Sequence, residues 1–460
     1  MMRGAMERFL FSRIPTWVVL ILALLGIAGA VYFGRIVLDE TRDRFSPEFG
    51  PRFGRLGDVA YAIAEFPQQV GNVVRSWRGE PRAATLGKRL QSLPGGWTIH
   101  DTASPISGYL LLSRIDRDVD RSVVELLDLS DFSIRHRWEP DPEILFADAP
   151  RDSEIVSYPQ WTNRYFRVMH PILMEDGRLV FHGEWSPLIS LSACGDMQWR
   201  QDGAIVHHSL NVDADGNFWA PSLIEPSDIS PLPRFHDDAL TRFSPSGEIL
   251  YRKSLAQILI DHGRRDLIWQ NIDSDPLHTN DIEPVLADGP YWKKGDLFVS
   301  ARHRSLALLY RPSTDEIVWL KQGPWLAQHD IDILDDHRIA IFNNNLINRG
   351  NGGFIPENTN VMIYDFATDE VTSPWDAAMG RDLQFRVLAD TNGLMDFTAS
   401  GHMIVEEDTS GRILIYGPDR RLVAEYINRA ADGGIYRMGW SRVMSRAAGD
   451  AALAALAACN

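Results

Sequence analysis

The chain has 460 residues, 45% of them apolar, and sets 46 Lys and Arg against 62 Asp and Glu for a net charge of −16. That length and apolar share are enough for a large globular core. The acidic balance, with no clustered Lys/Arg stripe, excludes a phosphate-backbone partner such as nucleic acid. Only Cys194 and Cys459 are present, and no CxxC or Cys/His spacing suggests a zinc site.

Residues 1–13 carry Arg3, Arg8 and Arg13 and precede the apolar run Ile14–Gly34. A run of that length crosses a bilayer core of about 30 Å. Basic residues before the span place the N-terminus in the cytoplasm and the rest outside it. Ala28-Gly29-Ala30 also fits a signal-peptide cleavage site, but the apolar run continues through Val31, Tyr32 and Phe33, which favours an uncleaved anchor. The expected location is a single-pass anchor in the inner membrane with the remaining chain in the periplasm. Residues 35–99 read as a stalk: a Pro/Gly-rich loop, then helix-compatible spacing over Asp58–Trp77, with Pro67 as a kink.

From residue 100 to 445 the pattern changes to short alternating strands. An apolar strand, a turn of Ser, Asp, Pro or Gly, and a strand closing on an aromatic recur at Leu126–Trp138, Leu188–Trp199, Ala239–Tyr251, Leu306–Trp319, Val361–Trp375 and Ile413–Tyr426. Each hairpin has room before it for a further strand–turn–strand, which makes four strands per unit. That predicts an all-β fold, a six-bladed β-propeller, ahead of two β-sandwiches, which would not repeat one pattern six times. Residues 446–460 form a small-residue tail, read as potentially mobile. Export permits Cys459 in that tail to pair with Cys194, and two free thiols remain an equal alternative.

A second repeat runs inside the first. His208, His278 and His329 each open the pattern His-x-x-[Asn/Asp]-[Ile/Val], and a degenerate copy has Gly393 in the histidine slot. Inner strands of a propeller line one channel, so equal placement in three repeats predicts that the three histidines meet there. His207 and His303 are expected to point away by strand alternation. His136, His170, His182, His236, His262 and His402 read as ordinary hydrogen-bonding groups, and Asn343-Asn344-Asn345 reads as a solvated loop.

The segments HHSLNVDADGN, HTNDI, FVSARHRS and QHDIDILDDHR, in that order over roughly residues 150–440, resemble the bacterial arylsulfotransferases. These are exported six-bladed propellers, independent of nucleotide sulfate donors, that move a sulfuryl group between phenols through a sulfated histidine. The resemblance implies that His329 is the nucleophile, that His278, Arg302 and His208 are catalytic with it, and that Arg302, Asn280 and His208 contact the substrate. It implies an aryl sulfate donor and a phenolic acceptor, with no cofactor and no metal. The long loop Asn343–Asn360 and the anchor depart from the family pattern and bear on the acceptor more than on the chemistry.

The residue types agree with that implication. Neutral imidazole is a nucleophile that splits one hard transfer into two easier ones. Arginine offers a bidentate clamp for sulfate oxygens, and asparagine a neutral donor beside it. A phenol with a pKa near 10 needs a proton on leaving and a base on attacking, which His208 or His278 can provide. Two readings of other classes stand beside this one. Three converging histidines can hold a metal ion, although Arg302 beside them favours an anion. An exported propeller can also be a non-catalytic binding scaffold.

Overall fold

A computed structural model describes residues 15–45, scattered positions between 53 and 66, and 88–459 apart from 231, 233, 271–273, 349–352 and 382–385. The chain divides into two compact units, Met1–Glu80 and Pro81–Asn460.

In the first unit one helix, Thr16–Phe45, contains the apolar stretch Thr16–Leu38 with a mean hydropathy of 2.3. At 1.5 Å per residue those 23 residues reach about 35 Å, enough to cross a bilayer. A membrane anchor and a signal sequence share that length and composition. Of the helix expected over Asp58–Trp77, helical backbone is present at 59–64, and residues 67–77 lie outside the described residues.

The second unit is all-β and propeller-like. Its inner strands are apolar on both faces because they lie between two cores, whereas outer strands such as Ser133–Trp138 and Glu316–Gln322 carry polar residues and are partly exposed. Tyr109 and Leu111 enter one core with Val124, Val168 and Phe181, while their neighbours Leu110 and Leu112 enter another with Ile404 and Ile415. Leu306 and Leu308 pack against Leu240 and Ile282; the alternate residues Ala307 and Leu309 pack against Ile339 and Ile341. A period-2 strand between two cores reads in sequence as an unbroken apolar run, such as YLLL from Tyr109 to Leu112.

All six expected hairpins form. Each places one residue of left-handed backbone at the end of its turn: Phe132, Gly195, Gly247, Asp315, Asp369 and Arg420. A turn ending in such a residue matches the right-handed twist of the flanking strands. The chain ends are tied into the sheets. Gly96–Ile99 pairs with Leu422–Ile427, and Arg442–Met444 pairs with Tyr109–Asp116 at the other end of the sequence.

The strand pairing differs from six separate four-stranded units. Among the described residues there are four separate sheets of four or five strands, one eight-stranded sheet, and a two-stranded ribbon. The eight-stranded sheet arises because Met197–Val206 runs long enough for Val206 to pair with both Ser186 and Ser222, joining two successive groups of strands.

The small-residue tail is ordered. Ser445 Oγ caps a helix over Arg446–Leu456 by accepting the Ala448 N–H. Arg446 holds Asp128 at 2.7 Å and lies 4.3 Å over the ring of Tyr109. Gly449 lies flat on that ring: a Cβ there would sit 2.1 Å from Tyr109 Cδ2. Just beyond, Cys459 is disulfide-bonded to Cys194 in a hairpin turn 265 residues away. That bond closes a very long loop, so Cys459→Ser should lower the unfolding free energy of the oxidised protein by about 2–4 kcal/mol. Coincident denaturant curves for the two proteins would contradict this.

Candidate functional site

Several loops enter the edge strands through one residue of left-handed backbone: His208 (φ 59°), His278 (54°), Ala327 (53°), Asn392 (58°) and Trp440 (60°). For a residue with a Cβ this conformation costs on the order of 1–3 kcal/mol and persists only where the surroundings impose it. The kink also sets a register. His329 lies two residues beyond Ala327, just as Asn280 lies two beyond His278. In the backbone, therefore, His329 occupies the place of Asn280 and not, as the sequence pattern suggests, that of His278. Asp330 and Asp332 both follow, and their alternation with apolar residues concealed the two-residue offset.

The three histidines still meet. The ring of His208 lies 5.0 Å from that of His278 and 6.1 Å from that of His329, with Trp440 5.8 Å from His208 and 6.1 Å from His329. His208 and His329 are buried.

Arg302 is brought alongside by its own backbone. It follows the strand Leu297–Ala301, and its N–H donates to His278 O at 3.0 Å. Its guanidinium reaches one acceptor, Asp390 O at 3.4 Å, while its Nε is buried without a hydrogen-bond partner. Among the described residues no carboxylate forms an ion pair with it. Burial lowers its pKa, and its charge in turn bears on both His278 and His329.

The surroundings of His278 and His329 shift their pKa values in opposite directions. Burial works against the His278 cation, but the Asp275 carboxylate, 2.5 Å from its Nδ1, outweighs that effect and leaves the pKa above the ordinary value. Asp275 shifts the other way: although burial disfavours its charge, His278 together with His303 and His236 lowers its pKa. For His329, burial and then the Arg302 charge push the pKa well below the usual range. Burial and the neighbouring His278 and His207 do the same to His208. Protonation is therefore favoured at His278 and disfavoured at His208 and His329.

Other expectations require correction. Asn280, read as a donor to the substrate, gives its Nδ2 to Gln328 O at 3.1 Å, and its Oδ1 is the buried atom without a partner. His303 does not point away but stacks on His278 at 4.5 Å and contacts Asp275 O at 2.7 Å. His207 stacks on Trp185 at 4.2 Å yet keeps its Nδ1 2.9 Å from that of His208. His236 comes within 3.7 Å of Asp275 Oδ2. Asn343 and Asn344 are buried rather than solvated.

Sequence reasoning missed Asp275, Asn344, Asn392 and Trp440. A carboxylate three residues before a motif histidine was the one legible signal, at Asp275. The others depend on which loops fold against the rings.

Asp275, His278 and His303 offer ligand atoms within 4.8 Å of one another. A divalent cation fits that donor set by type, but the direct Asp275–His278 hydrogen bond occupies the space between two of the donors. Further along the same strands, Asp281, Glu283, Asp330, Asp332 and Asp396 gather near Arg442. Burial pushes Asp281 and Asp396 up to about 6 and the other three well above their ordinary values. A cavity of about 600 Å³, lined in part by Ser153, Glu225 and Arg252, contains none of the four catalytic candidates.

Residues 193–429 match the family described as arylsulfotransferase (ASST). No curated protein matches the sequence. Among solved structures, a Bacteroides caccae protein of unknown function shares 8% identity, with 74% of this chain and 99% of that one covered at a TM-score of 0.42. A streptogramin B lyase shares 10%, with 76% and 98% covered at 0.39. Virginiamycin B lyase from Staphylococcus aureus shares 10%, with 56% and 70% covered at 0.34. At these scores the structural likenesses carry no argument.

Proposed function

The chain belongs to the arylsulfotransferase family, and from that premise we propose that it moves a sulfuryl group from an aryl sulfate ester to a phenol through a sulfated His329. The observation that carries the reading is Arg302: a half-buried guanidinium whose Nε has no hydrogen-bond partner, which among the described residues forms no ion pair with a carboxylate, and whose charge acts on both His278 and His329. A cation partly withdrawn from water is stabilised by an anionic partner. An anionic sulfate ester supplies that pairing.

In the proposed reaction Arg302 holds the sulfuryl oxygens, and the lone pair of His329 Nε2 attacks sulfur. The S–O bond to the aryl group breaks, its electron pair leaves on the phenol oxygen, and His278 gives that oxygen its proton. The acceptor phenol then attacks sulfur and passes its proton to the now neutral His278. The S–N bond breaks, and its electron pair returns to Nε2. As in phosphoryl transfer, the protein contributes position and charge more than covalent work. His208, buried and neutral beside both, orients the partners. Asp275 keeps His278 charged up to a higher pH than an isolated histidine.

The pH dependence follows with a definite sign. His329 must be neutral, and its lowered pKa leaves it so well into acid. His278 must be protonated in the first half-reaction, so transfer from esters with poor leaving groups should fall as pH rises through its raised pKa. Asp275→Asn removes the largest influence that raises the His278 pKa against burial, leaving the smaller one of Asp238, and that falling limb should move to lower pH. An unmoved limb would remove His278 from the acid's role.

The architecture we propose is six blades over about residues 100–445, with the helix from Arg446 docked on the outside. The support is that one apolar core lies between the two halves of the eight-stranded sheet: Ile172, Val180 and Leu188 meet Phe218, Ala220 and Phe243. The proposed location is the periplasm, on a single inner-membrane anchor formed by the apolar helix.

The direct test is incubation of the full chain in detergent with 4-nitrophenyl sulfate and no acceptor. One equivalent of nitrophenol should be released in a burst, with a sulfuryl adduct on the peptide spanning His329. An adduct on another residue, or no adduct during the burst, would overturn the reading. A stoichiometric metal ion in place of turnover would favour the cluster at Asp275, His278 and His303.

A further inference from the structure

His329 is fixed at both nitrogens. Its Nδ1 lies 2.6 Å from Asn344 Oδ1. Which atom of the Asn344 amide faces the ring is settled on the far side, because Nδ2 donates to Ala389 O at 2.9 Å and Asn392 O at 2.8 Å. Oδ1 is then purely an acceptor, and Nδ1 must carry the hydrogen. The other end gives the same answer independently. Asn392 N–H, which can only donate, reaches His329 Nε2 at 3.0 Å. Nε2 therefore bears the lone pair.

We propose that Asn344 is a positioning residue that locks His329 in the Nδ1–H tautomer, so that the nucleophilic nitrogen is Nε2, and that the Asn392 N–H covers Nε2 until the sulfuryl group arrives. The inference rests on His329 being the nucleophile. Attack at sulfur requires the Asn392 N–H to leave the lone pair. Once the N–S bond has formed, the sulfuryl oxygens lie around the same nitrogen and offer this N–H a new acceptor. The covering bond of the free protein thus becomes a donor to the adduct, while Asn344 continues to accept from Nδ1–H of the sulfated ring. No proton crosses the ring in either half-reaction. A histidine in the opposite tautomer would have its lone pair against Asn344 and be unable to attack, which is the reason an orienting acceptor matters for imidazole catalysts. Asn344 is itself fully buried, and its amide is held by the loop that also carries the N–H, so tautomer and cover are set by one piece of backbone.

The test starts with the unmodified protein. In full-length chain labelled with ¹⁵N-histidine, long-range ¹H–¹⁵N correlation should show His329, assigned by its disappearance in His329→Ala, protonated at Nδ1 with a bare Nε2. A resonance pattern with the hydrogen on Nε2 overturns the proposal. Asn344→Ala should let the second tautomer appear and slow single-turnover sulfation by about 10- to 100-fold, with the half-saturating donor concentration little changed. Asn344→Asp keeps an acceptor oxygen towards Nδ1, while its second oxygen, facing the Ala389 and Asn392 carbonyls, needs a proton to replace the amide donor. In that protonated form it should retain the Nδ1–H tautomer and more of the sulfation rate than Asn344→Ala. Should Asn344→Ala fold poorly, the tautomer of the unmodified protein still decides. Unchanged tautomer and rate in Asn344→Ala, alongside loss of the adduct in His329→Ala, would defeat this inference and leave the proposed reaction standing. An adduct on a residue other than His329 would defeat both.

Discussion

Replacing His329 with alanine is expected to reduce turnover of an aryl sulfate by about four orders of magnitude or more and to abolish the covalent adduct. No neighbour can take over. His278 has its Nδ1 tied to Asp275, which also favours its protonated form and so withdraws its lone pair. His208 is also disfavoured as a cation, but its Nδ1 is engaged with His207. Release of nitrophenol and mass spectrometry of peptides around residues 322–338 measure the two effects separately. Retained burst kinetics in His329→Ala would remove it as the nucleophile.

Arg302→Lys should cost about 100- to 1,000-fold in the rate of transfer and much less in binding of the donor. Lysine keeps the positive charge that attracts the ester. It cannot reproduce two parallel N–H bonds to oxygens whose charge and geometry change as sulfur moves between ligands. The site is also built for the planar group, with the backbone of Arg302 tied to His278 O and one guanidinium N–H to Asp390 O. Burst rates against donor concentration separate the two effects. A variant that loses affinity and keeps its rate would turn Arg302 into a steering charge.

Much of the fold was legible because a strand buried on both faces leaves a plain mark. YLLL at Tyr109–Leu112 and LALL at Leu306–Leu309 admit no solvent-facing side, and the turn residues between such runs place the hairpins. What was less legible is where one sheet stops. A few extra residues on Met197–Val206 let Val206 meet Ser222, and nothing in their composition announces a pairing made with a segment 16 residues away.

The candidate site divides along the same line. The sequence by itself determined that His208 and His278 open repeated loop-to-strand entrances of an all-β chain that follows an apolar helix, and that His329 and Arg302 stand in neighbouring copies of the same repeat, because repetition and period are properties of residues taken in order. Only the tertiary structure decided their chemistry. The two-residue offset of His329, the carboxylate that charges His278, the donor–acceptor frame around His329 and the docking of the C-terminal helix through Cys459 all arise between segments far apart in the chain. Protonation depends on burial and on the nearest charges, and those are fixed only when the loops from different repeats close on one another.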